Sequence, residues 1–210
     1  MNYHHGNLRR ELLDRAAQII AEHGVEALSL RALAQDLGVS HNAPTRHFRD
    51  KLDLLRALAT EGYFKLADYV SEAADAAGTD PLERYAALGR AYVRFSLEYP
   101  AYYKAGRHPE VAAQADEELK EAHRQRTAIL VDAARQAQAA GWLPDESVED
   151  AVTFSLATVR GLAALLSDPL FTRSMGKLKR EALIDRMVRQ IIDPEKLRAT
   201  KSKPPRKQRT

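Results

Sequence analysis

The sequence predicts an all-α protein, and three observations lead to this fold class. Apolar residues recur three and four positions apart along most of the chain, as on one face of a helix. No run alternates apolar and polar residues for long enough to predict a strand. Clusters of glycine and proline interrupt the helical pattern, as turns between helices do. We expect a small helical domain over residues 1–50 and a larger helical domain over residues 51–195.

The first four helices are predicted within residues 7–77. Asn7 is the expected N-cap of the first helix, and His23-Gly24 its end. A short second helix follows Ser29, a third begins near Ser40, and a fourth runs from about 50 to 77. The apolar positions of the first two are Leu8, Leu12, Ala16, Ile19, Ile20, Leu30, Leu33, Ala34 and Leu37. The later helices are expected over 81–99, 110–140, 147–167 and 178–192.

The net charge of +3 comes from the end of the chain. Five cations and no acid lie in residues 201–210, so residues 1–200 sum to +3 − 5 = −2. A nucleic-acid surface on the folded part must therefore be a local patch. We expect residues 196–210 to be a disordered basic tail, and its cations could add contacts to phosphates. These cations are Lys201, Lys203, Arg206, Lys207 and Arg209.

The sequence also limits the cellular compartment of the protein and the kinds of chemical site that it can form. The absence of cysteine excludes disulfides, cysteine nucleophiles and cysteine-based zinc sites. The N-terminus lacks the apolar stretch of a secretory signal, and the apolar stretch 151–167 is short and carries Arg160. We therefore expect a cytoplasmic protein with no membrane partner.

Residues 29–48, SLRALAQDLGVSHNAPTRHF, have the pattern of a helix-turn-helix. Small Ala34 lets a second helix approach closely, Gly38 makes the turn, and Val39 fills the angle between the helices. No acid occurs between Asp36 and Asp50. From the residues alone, a solvated hairpin in an ordinary helical bundle remains the alternative.

A cluster of cations favours DNA as the target of this hairpin. Arg46, Arg49 and Lys51 form the local positive patch that a phosphate backbone requires. Asn42 has the side chain that pairs with adenine, and Arg46 the one that pairs with guanine. We therefore expect some of these side chains to reach base edges.

From about His5 to Leu55 the chain resembles the TetR family of repressors, through IIAEHGVEALSL and RALAQDLGVSHNAPTRHFRDKLDLL. The resemblance implies that the third helix lies in the major groove. It also implies that Lys51 contacts a phosphate, at a helix N-terminus that itself attracts anions. The candidate DNA contacts are Ser29, Arg31, Ser40, His41, Asn42, Ala43, Thr45, Arg46, His47 and Lys51.

Two residues depart from the family pattern. Thr45 stands where the family usually has a tyrosine that reaches a phosphate, and its hydroxyl is shorter. Pro44 lies inside the recognition helix, where it removes a donor and disfavours a helical Ala43. We therefore expect a recognition helix that is short or that begins late.

A stripe of aromatic residues predicts a small-molecule site in the second half of the chain. Buried tyrosine hydroxyls need partners, and a mostly apolar cavity with a few polar groups is typical of ligand sites. The alternative is an ordinary core. The stripe is Tyr85, Leu88, Tyr92, Phe95 and Tyr99. The expected lining residues are Phe64, Tyr92, Phe95, Tyr99, Phe154 and Thr158.

Two wide apolar helices predict a homodimer. A helix that is apolar on most of its circumference must be covered on most sides. The resemblance implies a symmetric four-helix bundle between two copies, and Gly161 would permit close approach there. The expected contacts are Val152, Ser155, Val159, Leu162, Leu166, Ile184, Met187, Val188 and Ile191.

The second half also partly resembles a TetR subclass with a Trp-His-Gly sensor domain. The segment DPLERYAALGRAYVRFSLEYPAYY and Gly161 match this subclass. Arg160 and Leu156 stand where it has its histidine and tryptophan. This resemblance names no ligand.

No catalytic motif, metal-ligand spacing or cofactor-binding glycine loop is present, so we expect neither an enzyme nor a cofactor nor a metal site. The sequence instead predicts a ligand-responsive transcriptional regulator, a repressor by resemblance. It would bind a palindromic operator in double-stranded DNA as a homodimer and be released by a small-molecule effector. The alternatives are a ligand-independent DNA-binding protein and an all-helical enzyme that uses the C-terminal cavity.

Overall fold

The computed structural model describes residues 8–174 and 177–193, and every regular element in these ranges is helical. The all-α prediction is therefore confirmed. Asn7 and the basic tail over 196–210 lie outside the described residues. The α-helices are α1 (Leu8–His23), α2 (Leu30–Asp36), α3 (Lys51–Ala76), α4 (Pro81–Glu98), α5 (Pro100–Gly106), α6 (Pro109–Ala113), α7 (Glu117–Ala139), α8 (Val148–Ser167), α9 (Pro169–Arg173) and α10 (Lys177–Ile192). Val25–Ala27 and Pro44–Arg46 are short 3-10 helices.

The described residues form two compact units. The first unit contains residues 8–69 and 95–129, and the second contains 70–94, 130–174 and 177–193. The helices α3, α4 and α7 each contribute residues to both units. The boundaries at residues 50 and 195 remain predictions about domains.

The core of the first unit is built on the apolar stripe of α1. This stripe packs against α2, against the first half of α3 and against α5. Burying each Leu or Ile of such a stripe stabilises the fold by about 1.5–3 kcal/mol. The small residues Ala101 and Ala105 are 4% and 0% exposed, and they let α5 lie directly on α1. The other core members include Leu12, Ala16, Ile20, Leu33, Phe48, Leu54, Leu55 and Leu58.

The core of the second unit lies where α8 packs against α10. A Cβ added to Gly89 of α4 would lie 3.4 Å from Val188 and 3.6 Å from Val159, so α4 closes this core from a third side. Trp142, in the connection between α7 and α8, donates its indole N–H to the Ile191 carbonyl at 2.8 Å. This bond holds the connection on the end of α10.

After residue 80 the helices differ from the predicted ones at three places. The helix expected over 110–140 is two helices, because the Asp116 carboxylate accepts the Leu119 N–H at 3.0 Å and starts α7 anew. The short helices α5 and α9 were not predicted, since Pro100 and Pro169 were interpreted as breakers. Each proline occupies the first turn of its helix, where the missing N–H has no partner to lose.

Among the described residues, α8 is the one helix whose length and composition would allow it to cross a membrane. A core helix of a globular protein meets the same criterion. In this structure α8 buries one face against α10, as a core helix does.

Candidate nucleic-acid interface

The turn of the hairpin has the geometry that the sequence predicts. Ser29 starts α2 by accepting the Ala32 N–H at 3.1 Å. Past the end of α2, Gly38 has a φ of 65°, in the left-handed region that favours glycine. The Val39 N–H then donates to the Ala34 carbonyl at 2.9 Å, which closes the helix end. Ala34 is fully buried beside this turn, as close packing requires.

The recognition segment, residues 40–47, is not an α-helix. Residues 41–43 form a turn and Pro44–Arg46 a 3-10 helix, so the α-helix predicted from near Ser40 is wrong. Pro44 has no N–H to offer to the Ser40 carbonyl. The Ala43 N–H bonds this carbonyl instead, at 2.9 Å, and the chain tightens into successive three-residue turns.

Most side chains of the recognition segment point to solvent. Pro44 is buried and anchors the segment, and Ala43 is half-buried. The Thr45 hydroxyl donates to the Asn42 carbonyl at 2.9 Å, so it stabilises the turn locally. The exposed side chains are Ser40, His41, Asn42, Thr45, Arg46 and His47.

Several cations around this segment have no acidic partner. Arg31 and Arg46 are exposed, and neither makes an ion pair with any residue that the structure describes. Lys51 lies at the start of α3, where its Nζ is 3.5 Å from the Glu26 carbonyl. A contact of that length is weak, so Lys51 remains available to another anion.

Arg9 is a further cation at this surface, and the sequence analysis missed it. Its guanidinium lies 5.3 Å from the centroid of the Phe48 ring, directly after the recognition segment. The side chain is exposed and forms no ion pair within the described residues. The helical period places Arg9 away from the core stripe, but it gives no sign that Phe48 lies beneath.

Asp53 fixes the start of α3 beneath the recognition segment. Its carboxylate accepts the Arg49 backbone N–H at 3.0 Å and pairs with the Arg56 guanidinium. Burial favours the neutral carboxyl, but these two donors outweigh it and lower the pKa of Asp53. Arg56 also pairs with Asp116 at 2.8 Å, which ties α3 to the segment before α7.

A polar cluster of Arg10, Glu61 and Tyr102 joins three helices of the first unit. Arg10 Nη1 donates to both oxygens of Glu61 at 2.8 Å, and the Tyr102 hydroxyl donates to Glu61 Oε1 at 2.7 Å. Hydrogen bonds with Asp14 and Glu61 raise the pKa of Arg10. Burial and the bond to Glu61 raise the pKa of Tyr102. The cluster thereby attaches α1 to α3 and α5.

The six residues expected to line an effector cavity are divided between the two units. Phe64, Phe95 and Tyr99 belong to the first unit, and Phe95 is buried in ring contacts with Tyr69 and Tyr99. Tyr92, Phe154 and Thr158 belong to the second unit, where Phe154 is 53% exposed. None of the six lines the cavity of about 540 Å³ in the second unit or the cavity of about 380 Å³ in the first.

The nine residues expected to contact a second copy lie mostly inside the chain. Met187 is half-buried, and the other eight are at most 7% exposed. Their side chains fill the core between α8 and α10 and leave almost no surface for a partner. The buried residues are Val152, Ser155, Val159, Leu162, Leu166, Ile184, Val188 and Ile191.

The apolar surface of α8 that stays exposed is its opposite face. Phe154 and Leu165 are 53% and 48% exposed, and Thr158 lies between them. A Cβ added to Gly161 would meet no atom within 4 Å. Half-buried Thr158 and the exposed residues around it form one stripe at helical spacing, which we call the outer stripe: Phe154, Ala157, Thr158, Gly161, Ala164 and Leu165.

No group of three His, Asp or Glu side chains among the described residues is arranged to hold a metal ion. The exposed side chains of the recognition segment offer hydrogen-bond donors and acceptors and a cation. These are the groups with which proteins contact nucleic-acid backbones and base edges.

Two family models match the chain. Residues 12–58 match the family described as bacterial regulatory proteins, tetR family. Residues 85–191 match the family described as tetracyclin repressor-like, C-terminal domain. The first match covers the hairpin, and the second covers half of the chain.

Curated relatives match chiefly at the N-terminal end. The HTH-type transcriptional repressor AcnR of Corynebacterium glutamicum is 42% identical over 66 residues, which is 31% of this chain and 35% of the repressor. The chain thus matches about a third of that relative's length. The uncharacterized HTH-type transcriptional regulator YobS of Bacillus subtilis is 28% identical over 127 residues, 60% of this chain and 59% of the relative.

Solved structures match over nearly the whole chain. A protein of unknown function from Rhodococcus sp. RHA1 has a TM-score of 0.75 and 34% identity, over 92% of this chain and 96% of that one. The TetR family transcriptional regulator PfmR of Thermus thermophilus has a TM-score of 0.65 and 21% identity, over 86% and 96%. The PfmR likeness shows the fold alone.

Substitution of Asp53 by Asn is expected to destabilise the protein in a pH-dependent way. A depressed pKa means that the Asp53 carboxylate stabilises the fold above the ordinary Asp pKa of about 3.9. This contribution is lost as the pH falls through the folded-state pKa. The free energies of unfolding of the wild type and of Asp53→Asn, measured in urea, should therefore differ most near neutral pH and become equal in acid. If the difference in the free energy of unfolding grew towards low pH, this would contradict the stabilising role of the Asp53 carboxylate.

Proposed function

Because the chain belongs to the TetR family of bacterial regulatory proteins, we propose that it is a ligand-responsive transcriptional repressor. It binds double-stranded DNA as a homodimer, and a small-molecule effector releases it. The observation that carries this proposal is the exposed polar recognition segment, because Arg46 within it and Arg31 on α2 make no ion pair with any described residue. Such a surface matches the phosphate backbone in charge and the base edges in hydrogen bonding.

The candidate DNA contacts divide into two roles. Arg31, Lys51 and the Ser29 region hold the phosphate backbone and fix the register of the hairpin. Asn42 and Arg46 are exposed and have the side chains that pair with adenine and guanine. The remaining contacts border them on the recognition segment: Ser40, His41, Ala43, Thr45 and His47. Thr45 supports the turn, since its hydroxyl is bonded to Asn42.

Arg9 adds a phosphate contact from α1. Stacking on Phe48 places its charge beside the recognition segment and restricts the motion of a long side chain. A restricted cation loses less entropy when it binds a phosphate. We assign Arg9 to backbone contact and not to base recognition.

A second copy of the chain binds the outer stripe of α8. An exposed apolar stripe of this length on a core helix marks an interaction surface. Gly161 and the two alanines in the stripe allow two helices to approach closely. The eight buried residues first expected at this interface support the stripe from inside the chain.

The dimer reads an approximately palindromic operator. Its two recognition segments should then lie about 34–36 Å apart, one turn of DNA. An effector that changes this separation needs a coupling free energy of about 1–3 kcal/mol to alter operator affinity 5- to 150-fold.

The placement of the six expected effector residues favours one second candidate, a ligand-independent DNA-binding protein. None of these residues lines the cavity of about 540 Å³ or the cavity of about 380 Å³. In this case operator affinity would be the same with and without any cell metabolite. An all-helical enzyme is not supported, because the curated relatives are regulators.

Operator binding and effector response are tested together by a gel shift on the DNA upstream of the protein's own gene. We expect the full chain to retard this fragment more strongly than unrelated DNA of equal length. Cell extract should release it. Asn42→Ala/Arg46→Ala, which removes both base-pairing side chains, serves as the control. Equal retardation of both DNAs would contradict a sequence-specific regulator, and no release by extract would favour the ligand-independent candidate.

Substitution of Arg9 and Arg46 by Ala separates backbone contact from base recognition. Arg9→Ala should weaken binding to operator and to unrelated DNA alike and reduce the slope of log K against log salt by about 0.9. Arg46→Ala should cost about 1–3 kcal/mol on the operator and relax selection at one base pair. Arg135→Ala, at an exposed arginine of α7, should change neither quantity. A loss confined to the operator in Arg9→Ala would contradict its assignment.

Substitution of Gly161 by Arg should separate the dimer into monomers. The new side chain meets no atom of its own chain near its Cβ, so the fold should be unchanged by circular dichroism. It would place a charge in the middle of the proposed interface, where burial of an unpaired charge is costly. Sedimentation at micromolar concentration measures the change, and Ala128→Arg on an exposed position of α7 should remain dimeric. A monomeric wild type would contradict the dimer.

A further inference from the structure

A cavity of about 380 Å³ opens in the first unit, and none of the six residues first expected to bind an effector lines it. Its walls come from Tyr63 of α3, Gly106 at the end of α5, Val111 and Ala112 of α6, and the first turns of α7. The whole lining belongs to the unit that contains the helix-turn-helix. Its volume falls in the range of cavities that take small organic molecules.

The floor of this cavity is apolar and aromatic. Val111 and Leu119 are 1% and 3% exposed beneath it. The Tyr63 ring stands edge-on to the His123 ring, with 5.3 Å between the centroids. Tyr63 is held in place because its hydroxyl donates to the Gly106 carbonyl at 2.7 Å. A flat or branched apolar group would be well covered on this floor.

The rim of the cavity is basic. Lys120, His123 and Arg124 line it, and no Asp or Glu does. Lys120 pairs with Glu117, and Arg124 with Glu121, at exposed positions one helical turn away. Exposed pairs of this kind contribute little, so a ligand carboxylate competes with them easily. The cavity of the second unit differs, since acids and arginines both line it.

The cavity adjoins the contacts that hold the start of α3. Arg56, two turns before Tyr63 on the same helix, pairs with Asp116 at 2.8 Å and donates to the Gln114 carbonyl at 3.2 Å. Gln114 and Asp116 flank the lining residue Ala115. A ligand that shifts this segment therefore acts on the helix that begins at Lys51. The path from the cavity to the DNA-facing surface stays inside one compact unit.

We propose that this cavity binds an organic anion with an apolar body, and that the bound anion weakens DNA binding by moving the segment before α7. The inference rests on the proposed function, because it names the class and the site of the effector. The apolar floor holds the body of the ligand, and the basic rim selects its charge.

The test compares two probes of the same shape and opposite charge, 4-phenylbutyrate and 4-phenylbutylamine, by titration calorimetry on the full chain. We expect one molecule of 4-phenylbutyrate to bind per chain with a dissociation constant of up to about 10 mM, the range for so small a ligand. The amine should bind at least about tenfold more weakly, because the rim is basic. Absence of 4-phenylbutyrate binding, or equal affinity for the two probes, would overturn the proposal.

A matched set of variants localises the binding. Ala112 is exposed and lines the cavity, so Ala112→Glu adds a like charge without burying it. Affinity for 4-phenylbutyrate should fall about tenfold in Ala112→Glu and should not fall in Ala112→Lys. Ala113→Glu, at the exposed neighbouring position outside the lining, should stay within about twofold. Equal affinity in Ala112→Glu and Ala113→Glu would place the probe elsewhere and overturn the assignment.

The gel shift without ligand keeps this inference separate from the function on which it rests. If wild type and Ala112→Glu both retard the upstream DNA and 4-phenylbutyrate releases only the wild type, the inference is supported. If both retard the DNA and the probe releases neither, the cavity is not the effector site and the proposed DNA-binding function stands. If neither retards the DNA, the proposed function fails, and with it the inference.

Discussion

The ion pair between Arg10 and Glu61 joins α1 to α3 in the unit that contains the DNA-facing surface. A partly exposed pair contributes about 1 kcal/mol or less to stability, so the apolar core of α1 supplies most of the binding between α1 and its neighbours. The pair instead fixes direction, because an apolar stripe tolerates small rotations, whereas Arg10 Nη1 must stay within reach of both oxygens of Glu61. Gly62 makes the arrangement possible. A Cβ there would lie 2.9 Å from the Cβ of Tyr102, so glycine lets α5 approach α3 and deliver the hydroxyl to Glu61.

The recognition segment has no α-helix of its own, and it packs against α1 and α2. Short-range hydrogen bonds hold its turns, and buried Pro44 anchors it from within. Its position is therefore set from both sides, by the Gly38 turn and by the start of α3. Asp53 joins the latter to the Arg49 backbone, and Arg56 joins it to the segment before α7. The same arginine lies next to the basic cavity, so binding of a ligand and placement of the recognition segment share one set of contacts.

The second unit contains a helix, α8, that has apolar residues on nearly every side. The α8 helix buries one stripe against α10 and leaves the other to solvent or to a partner. Ser155, on the buried stripe, donates its hydroxyl to the Ala151 carbonyl at 2.9 Å, so it needs no partner from outside the helix. Thr158, between the exposed Phe154 and Leu165, satisfies its hydroxyl in the same way on the Phe154 carbonyl. Both stripes thus behave as apolar surfaces, despite their hydroxyls.

The all-α class, the hairpin turn and the local positive patch follow from the sequence alone. These rest on short-range rules: the helical period, the left-handed glycine at 38 and the absence of acids between Asp36 and Asp50. The sequence also indicated a disturbance at Pro44, but not that 3-10 turns would replace the α-helix. Which stripe of α8 is buried depends on packing against α10, because both stripes have the same period and similar composition. For the same reason the sequence could not reveal Arg9 above Phe48 or the basic cavity, whose residues are distant in the chain and meet through packing alone.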